Sequence, residues 1–314
     1  MRGSCASLLL VAAACGGARE RPADARSPRG GERALGEMHY LAGEHMEWEV
    51  RWAGVLVGRV QLATGQPGMV EGKRVLVVRS LMVSDGALAV AKRGQMELVT
   101  WIDLDRRAPM AQAGSFDQIY TGEVLGTQFG AAEWPRTPWL SGLRDGEVAQ
   151  STHTALGLLR GWRARSGDRA HLFVRVRSRV LRIDLTATGR ERVTSALGRR
   201  SALRIDGTAV PVDDSLAPMP GQHVFPTSFW IDDEGSERVP VRIEIESGYG
   251  GIVRLDLVTY DAPASYQISD GKPSSADPRA LRASVASRPW ATVVGKWRSL
   301  RSLLIARARP GDAR

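Results

Sequence analysis

The chain has 314 residues, of which 43% are hydrophobic and 25% charged, and a formal charge of +9. This is globular composition, which excludes disorder along the whole chain, and the absence of a sufficiently long apolar run excludes a polytopic helical membrane protein. Two cysteines are too few for a disulfide framework or a cysteine zinc site. The charge is uneven: the tail from Lys272 to Arg314 holds ten Lys and Arg against Asp277 and Asp312, whereas the body, residues 37–271, is close to neutral. A nucleic-acid-binding body would carry a basic face of its own, so no nucleic acid is expected as a partner.

In chain order, Arg2 is followed by a short apolar stretch from Cys5 to Ala14, the h-region of an export signal. Ala12, Ala13 and Ala14 stand directly before Cys15. This is similar to a bacterial lipoprotein signal, in which the cysteine is acylated and becomes the new N-terminus. Residues 1–14 are thus read as a signal peptide and Cys15 as the lipidation site. Gly16, rather than Asp, after the cysteine suits the outer membrane, periplasmic face. Residues 15–36 are rich in Gly, Ala, Arg and Pro and read as a flexible tether.

From residue 37 to 262 apolar and polar residues alternate in short runs. Met46, Trp48, Val50 and Trp52 alternate with Glu47, Glu49 and Arg51; Leu181, Ile183 and Leu185 with Arg182, Asp184 and Thr186; Val253, Leu255 and Leu257 with Arg254, Asp256 and Val258. Period two marks antiparallel strands with one buried and one wet face. Trp48 and Trp52, four apart, are expected to share the buried face. Gly54 and Gly58 are expected to supply positive φ to the first hairpin, and Ser247 to Gly251 to join the last two strands. About ten or eleven strands are expected, with one short helix around Thr154 to Trp162. A sheet of that size must curl or split to bury a face. The predicted fold is all-β, mainly antiparallel: a large curved sheet forming a half-barrel or sandwich, whose concave face is the natural ligand site.

Residues 263–289 read as a linker. Beyond it, Trp290, Val293, Val294, Trp297, Leu300 and Leu304 recur at helical spacing, which predicts a basic amphipathic helix over 290–309. Trp290, Trp297, Lys296, Arg298 and Arg301 are its candidate membrane contacts. Docking of the same stripe onto the body is the competing reading. The membrane is thus the expected partner, through acylated Cys15 and through this helix; the sequence names no protein partner.

The ordered set Tyr40-Leu41-Ala42-Gly43-Glu44, Trp52-Ala53-Gly54 to Gly58, Thr154 to Arg160, Phe229-Trp230-Ile231-Asp232-Asp233-Glu234, Arg238-Val239-Pro240-Val241 and Tyr249-Gly250-Gly251 resembles the bacterial family called domain of unknown function 3108. The likeness runs from about Tyr40 to Tyr260, with little match between Phe116 and Gln150. It implies an exported envelope protein and no particular activity.

Chemistry-bearing motifs are sparse. The five histidines, His39, His45, His153, His171 and His223, follow no metal-ligand spacing and read as isolated surface or pore-facing residues; no metal and no cofactor is expected. Asp213-Asp214 and Asp232-Asp233-Glu234 lack the alternation of a calcium loop. There is no Gly-x-Ser-x-Gly elbow or phosphate loop, and no catalytic residue is assigned. Arg160 is expected to pair with an acid of the 232–234 turn. Trp134 and Trp139, in the loop Trp-Pro-Arg-Thr-Pro-Trp, are the ligand-binding candidates: they suit clamping a lipid chain or glycan, and equally a plug at the end of the sheet. The reading is a lipid-anchored, non-enzymatic envelope module for ligand binding or interaction. The alternative is an envelope hydrolase with distant carboxylates inside the sheet.

Overall fold

The computed structural model describes residue 35 and residues 37–262, other than 71, 87–92, 121–122, 134–142, 144–147, 177–178 and 249. Cys15, Trp134, Trp139, and the predicted helix with Trp290, Lys296, Trp297, Arg298 and Arg301 lie outside these residues.

The elements are β1 (His45–Trp52), β2 (Val55–Thr64), β3 (Gly68–Val70), β4 (Lys73–Ser84), β5 (Arg93–Asp103), β6 (Ala108–Tyr120), β7 (Glu123–Glu133), α1 (Thr152–Gly161), β8 (Arg169–Val176), β9 (Arg179–Ser195), β10 (Gly198–Val212), β11 (Phe225–Asp232), β12 (Pro240–Glu246) and β13 (Ile252–Asp261). They form one 13-stranded sheet in the order β7-β6-β5-β4-β2-β1-β13-β12-β11-β10-β9-β8, with β3 paired to β4. The all-β, antiparallel expectation holds. The count exceeds the expected ten or eleven because β6 and β7 occupy a stretch with few alternating apolar residues. Their ladders are made by backbone groups, which need no apolar alternation, and the one proline in these two strands, Pro109, stands beside the register shift between β5 and β6.

The sheet curls, and the helix shows by how much. The first turn of α1 is bonded to β4 and β5 through His153, while Ala155 and Leu159 pack in the core built on β8 to β11. In sheet order β4 and β8 are eight steps apart, which in a flat sheet is about 38 Å at ~4.8 Å per step. A helix of 10 residues is only about 15 Å long. It can touch both only if the sheet wraps around it. This is the half-barrel of the expected pair, with α1 on its concave side.

Core residues follow from strand parity. Met46, Trp48, Val50, Val60, Leu62, Val78, Leu255 and Leu257 form the cluster around β1, β2, β4 and β13. Leu172, Leu181, Leu185, Leu203, Ile205 and Ile231 form the cluster around the helix. The opposite face of the central strands carries cross-strand ion pairs such as Arg242–Asp256 at 2.8 Å and Arg204–Glu191 at 2.9 Å. The long β9–β10 hairpin bends at a register shift opposite Gly189, and its tip reaches β13, where the Ala196 N–H donates to the Leu257 carbonyl.

Two local expectations are corrected. Trp52 is 39% exposed while Trp48 is 2% exposed. Trp52 is the last residue of β1, beside the hairpin tip, and its indole N–H donates to the Gly250 carbonyl instead of entering the core. Gly54 does take positive φ (85°), together with Ala53, but Gly58 does not. A Cβ on Gly58 would stand 2.7 Å from the Val83 carbonyl oxygen, so that glycine lets β2 approach β4. The contrast between the two tryptophans is measurable. Trp48, whose Nε1 also donates to the Pro240 carbonyl at 2.8 Å, should cost about 3–5 kcal/mol on replacement by Ala, and Trp52→Ala clearly less. Chemical denaturation of both variants checks this, and equal losses would contradict the assigned faces.

Candidate functional site

The site is built on α1. Ser151 caps the helix: its side chain accepts the Thr154 N–H while the Thr154 hydroxyl accepts the Ser151 N–H, a capping box. Seven of the ten helix residues are buried. A helix buried almost all round needs small residues wherever backbone approaches it. Gly157 and Gly161, one turn apart on one face, supply this. Residues 37–40 lie across them, the His39 N–H donating to the Gly157 carbonyl at 2.9 Å. A Cβ on Gly157 would collide with Met38 and Tyr40, and one on Gly161 with the Glu37 carbonyl.

At the end of the helix lies a buried charged cluster. Arg160 is fully buried and holds fully buried Glu44 with two parallel bonds, 2.6 and 2.8 Å. Two further N–H groups donate to the Arg238 and Glu237 carbonyls. Arg238 answers in kind, donating to the Arg160 and Trp162 carbonyls and pairing with Asp233. The two arginines thus saturate each other's backbone across 78 residues of sequence. Arg160 therefore pairs with Glu44 and not with the 232–234 turn; Arg238 takes Asp233 instead. Asp232 accepts the N–H of Glu234 within the turn, and Glu234 accepts the Ser201 N–H from β10. Each buried carboxylate among the described residues is engaged, Glu44 by Arg160, Asp103 by the N–H groups of Asp105 and Arg106, and Asp232 by Glu234.

At the other end of the helix, His153 is buried rather than surface or pore-facing. Its Nδ1 lies 2.8 Å from the Thr100 hydroxyl and its Nε2 2.9 Å from the Ser80 hydroxyl. Burial pushes its pKa down to about 3, so the ring is neutral at physiological pH. Burial, and then Arg160, likewise push His39 down to about 4. His45 pairs with Asp261, while His171 and His223 stand edge-on to Phe173 and Phe225. Among the described residues no three His, Cys, Asp or Glu side chains gather as a metal site.

Beyond His153 the concave face continues as an apolar strip. Val78, Ser80 and Met82 lie on one face of β4, opposite Thr100, Leu98 and Met96 of β5 in register. Val78 and Thr100 are fully buried, whereas Ser80, Met82, Met96 and Leu98 are half-buried. The helix fills one part of the concavity and leaves this part less covered. Sequence reasoning passes over Ser80, Thr100, Met96 and Leu98. Their signal is a second alternating row on two recognisable strands, with polar residues where the helix lands.

The histidine burial has a pH consequence. A histidine whose pKa is depressed in the folded state stabilises fully above its unfolded value, about 6.5, and that stability is lost as pH falls toward about 3. The loss within this window is about 1.4 kcal/mol per pH unit. His153→Gln should be less stable at pH 7, yet its stability should fall less steeply between pH 6 and 4. Urea denaturation at pH steps reads both slopes, and parallel slopes would contradict a neutral buried His153.

Comparison with known proteins gives a family and distant structural likenesses. No curated protein matches the chain. Among solved structures, it is similar to a β-barrel-like DUF1849 protein from Brucella abortus, with 13% identity and TM-score 0.46 over 71% of this chain and 98% of that one. It is also similar to the lipoprotein LppX of Mycobacterium tuberculosis, with 16% identity and TM-score 0.25 over 70% and 88%. A DUF1329 family protein from Desulfovibrio piger matches with 10% identity and TM-score 0.28 over 72% and 87%. The family model for the protein of unknown function DUF3108 matches residues 47–258, from within β1 to within β13, and the chain belongs to that family.

Proposed function

We propose that the protein is a non-enzymatic binding module of the bacterial cell envelope, anchored by acylated Cys15 to the periplasmic face of the outer membrane, that holds an acyl chain on the strip between β4 and β5. The observation that carries this reading is the division of the concave face. Around α1 it is packed solid. Along Met82, Met96 and Leu98 it is apolar and half-covered. Methionine is the adaptable apolar residue, suited to a chain of variable shape. Half-buried Ser80, bonded to His153, bounds the strip at the helix end and offers a hydroxyl there. The sequence supplies the address: a short apolar run, three alanines, Cys15 and a tether.

A hydrolase with two carboxylates inside the sheet draws no support from the described residues, since Glu44, Asp103 and Asp232 are tied to Arg160 or to backbone N–H groups. A Ser80–His153 nucleophile draws little, because a histidine pushed down to about 3 is a weak base.

Native mass spectrometry of the chain extracted gently from membranes tests address and ligand together. The expected species begins at Cys15, carries covalent lipid, and retains a second, non-covalent lipid that leaves on activation. Leu98→Trp, which fills the strip, should lose the second lipid and keep the first. A wild-type spectrum with no non-covalent lipid, or one that Leu98→Trp leaves unchanged, would contradict the ligand reading.

A further inference from the structure

The two ends of the described chain leave the sheet together. His45, first in β1, is paired in register with Asp261, last in β13, and their side chains bond at 3.2 Å. The segment after Cys15 and the basic segment after residue 262 therefore both attach at this rim. The strand directions bring the same rim the β5–β6 turn, the α1–β8 connection and the β11–β12 turn. The far rim, about 25 Å away along the eight residues of β1, carries the β1–β2 and β12–β13 turns.

The two rims differ in charge. At the near rim four carboxylates are paired with arginines: Glu37 with Arg107 at 3.1 Å, Asp105 with Arg74 at 3.3 Å, Asp233 with Arg190 and Arg238, and Glu234 with Arg200 at 3.4 Å; Asp261 pairs with His45, Asp168 accepts the Arg165 N–H, and Glu237 accepts the Ser236 hydroxyl. Arg106, Arg163, Arg165, Arg169 and Arg192 are exposed there and make no ion pair among the described residues. They belong to one neighbourhood. Arg106 adjoins the Arg107–Glu37 pair, Glu37 lies on Gly161, Arg163 is within electrostatic reach of His39 and Arg238, and Arg192 of Glu234. At the far rim Arg59 is satisfied by Asp85 and Arg51 by Glu49, exposed Arg179 bonds the Gln222 side chain at 3.4 Å, and the other exposed residues include Trp52, Val55 and Ile252.

We propose that the near rim is the face the domain presents to an anionic membrane surface, with the strands standing on the bilayer and the Trp52 rim turned away. Guanidiniums with no ion pair among the described residues, beside the joined ends of β1 and β13, match phosphate headgroups in charge and geometry. Each arginine near such a surface is worth about 1 kcal/mol, or roughly fivefold in partition, and the attraction fades within a Debye length. This inference rests on the rim's charge and the chain ends, not on the lipid-binding strip.

The test uses the full chain carrying Cys15→Ala, so that no acyl anchor masks the effect and the basic tail is common to all samples. Vesicles of phosphatidylglycerol and phosphatidylcholine are compared with phosphatidylcholine alone. Arg106→Gln, Arg163→Gln, Arg165→Gln and Arg169→Gln together should lower partition onto the anionic vesicles at least tenfold. In a second measurement, with Cys5→Ala added, a fluorophore is placed at Arg165→Cys or at Val55→Cys. A nitroxide-headgroup lipid should quench the first and spare the second. Unchanged partition of the quadruple variant, or stronger quenching at Val55→Cys, would overturn the proposal; the latter would mean that the apolar rim is the one that meets the bilayer.

Discussion

A guanidinium fully removed from water, at the end of a helix inside a curled sheet, is the constraint on which this structure depends. Burying Arg160 costs several kcal/mol, and only a full set of partners offsets that. Glu44 provides the counter-charge with two parallel bonds, and the Arg238 and Glu237 carbonyls accept two more. Arg238 repeats the arrangement from the other side. The strand β1, the helix and the β11–β12 turn can satisfy these groups only in one mutual placement. Apolar packing alone would let a short helix slide in the concavity. The ion pair removes that freedom, and the segment over Gly157 and Gly161 locks it from above.

The rest of the fold follows from that placement. With α1 fixed, His153 lands on Thr100 and Ser80, which sets how far β4 and β5 fold toward the helix. Ala155 and Leu159 set the same for β8 to β11. The half-barrel is closed around a helix, and this is why part of its inner face is packed and part remains a strip. That strip is apolar and half-covered, whereas the rim where His45 and Asp261 meet carries arginines with no ion pair among the described residues.

Much of the fold is legible in the sequence because strand parity is a local signal. The alternation around Trp48, around Ile183 and around Leu255 is enough to set faces without knowing partners. The helix is legible because Leu158-Leu159 breaks the period of two. What is not legible is long-range. Nothing near Arg160 in sequence distinguishes Glu44, 116 residues away, from the nearer acids of the 232–234 turn. His153 looks isolated because its partners, Ser80 and Thr100, are hydroxyls on distant strands. Gly58 looks like a turn glycine because the strand it must approach, β4, is not its hairpin partner. Trp52 keeps the parity of Trp48, but parity gives the side of a sheet and not the distance from its end.

The most direct test of the account is a double-mutant cycle on Glu44 and Arg160, read by chemical denaturation of Glu44→Gln, Arg160→Met and the double variant. Each single change should cost about 3–5 kcal/mol, because it leaves an unmatched buried polar or charged group. The double variant should lose far less than the sum, with a coupling of at least about 2 kcal/mol. Losses that add to within about 0.5 kcal/mol would mean that the two groups do not depend on each other, and the buried pair would not be what fixes the helix in the sheet.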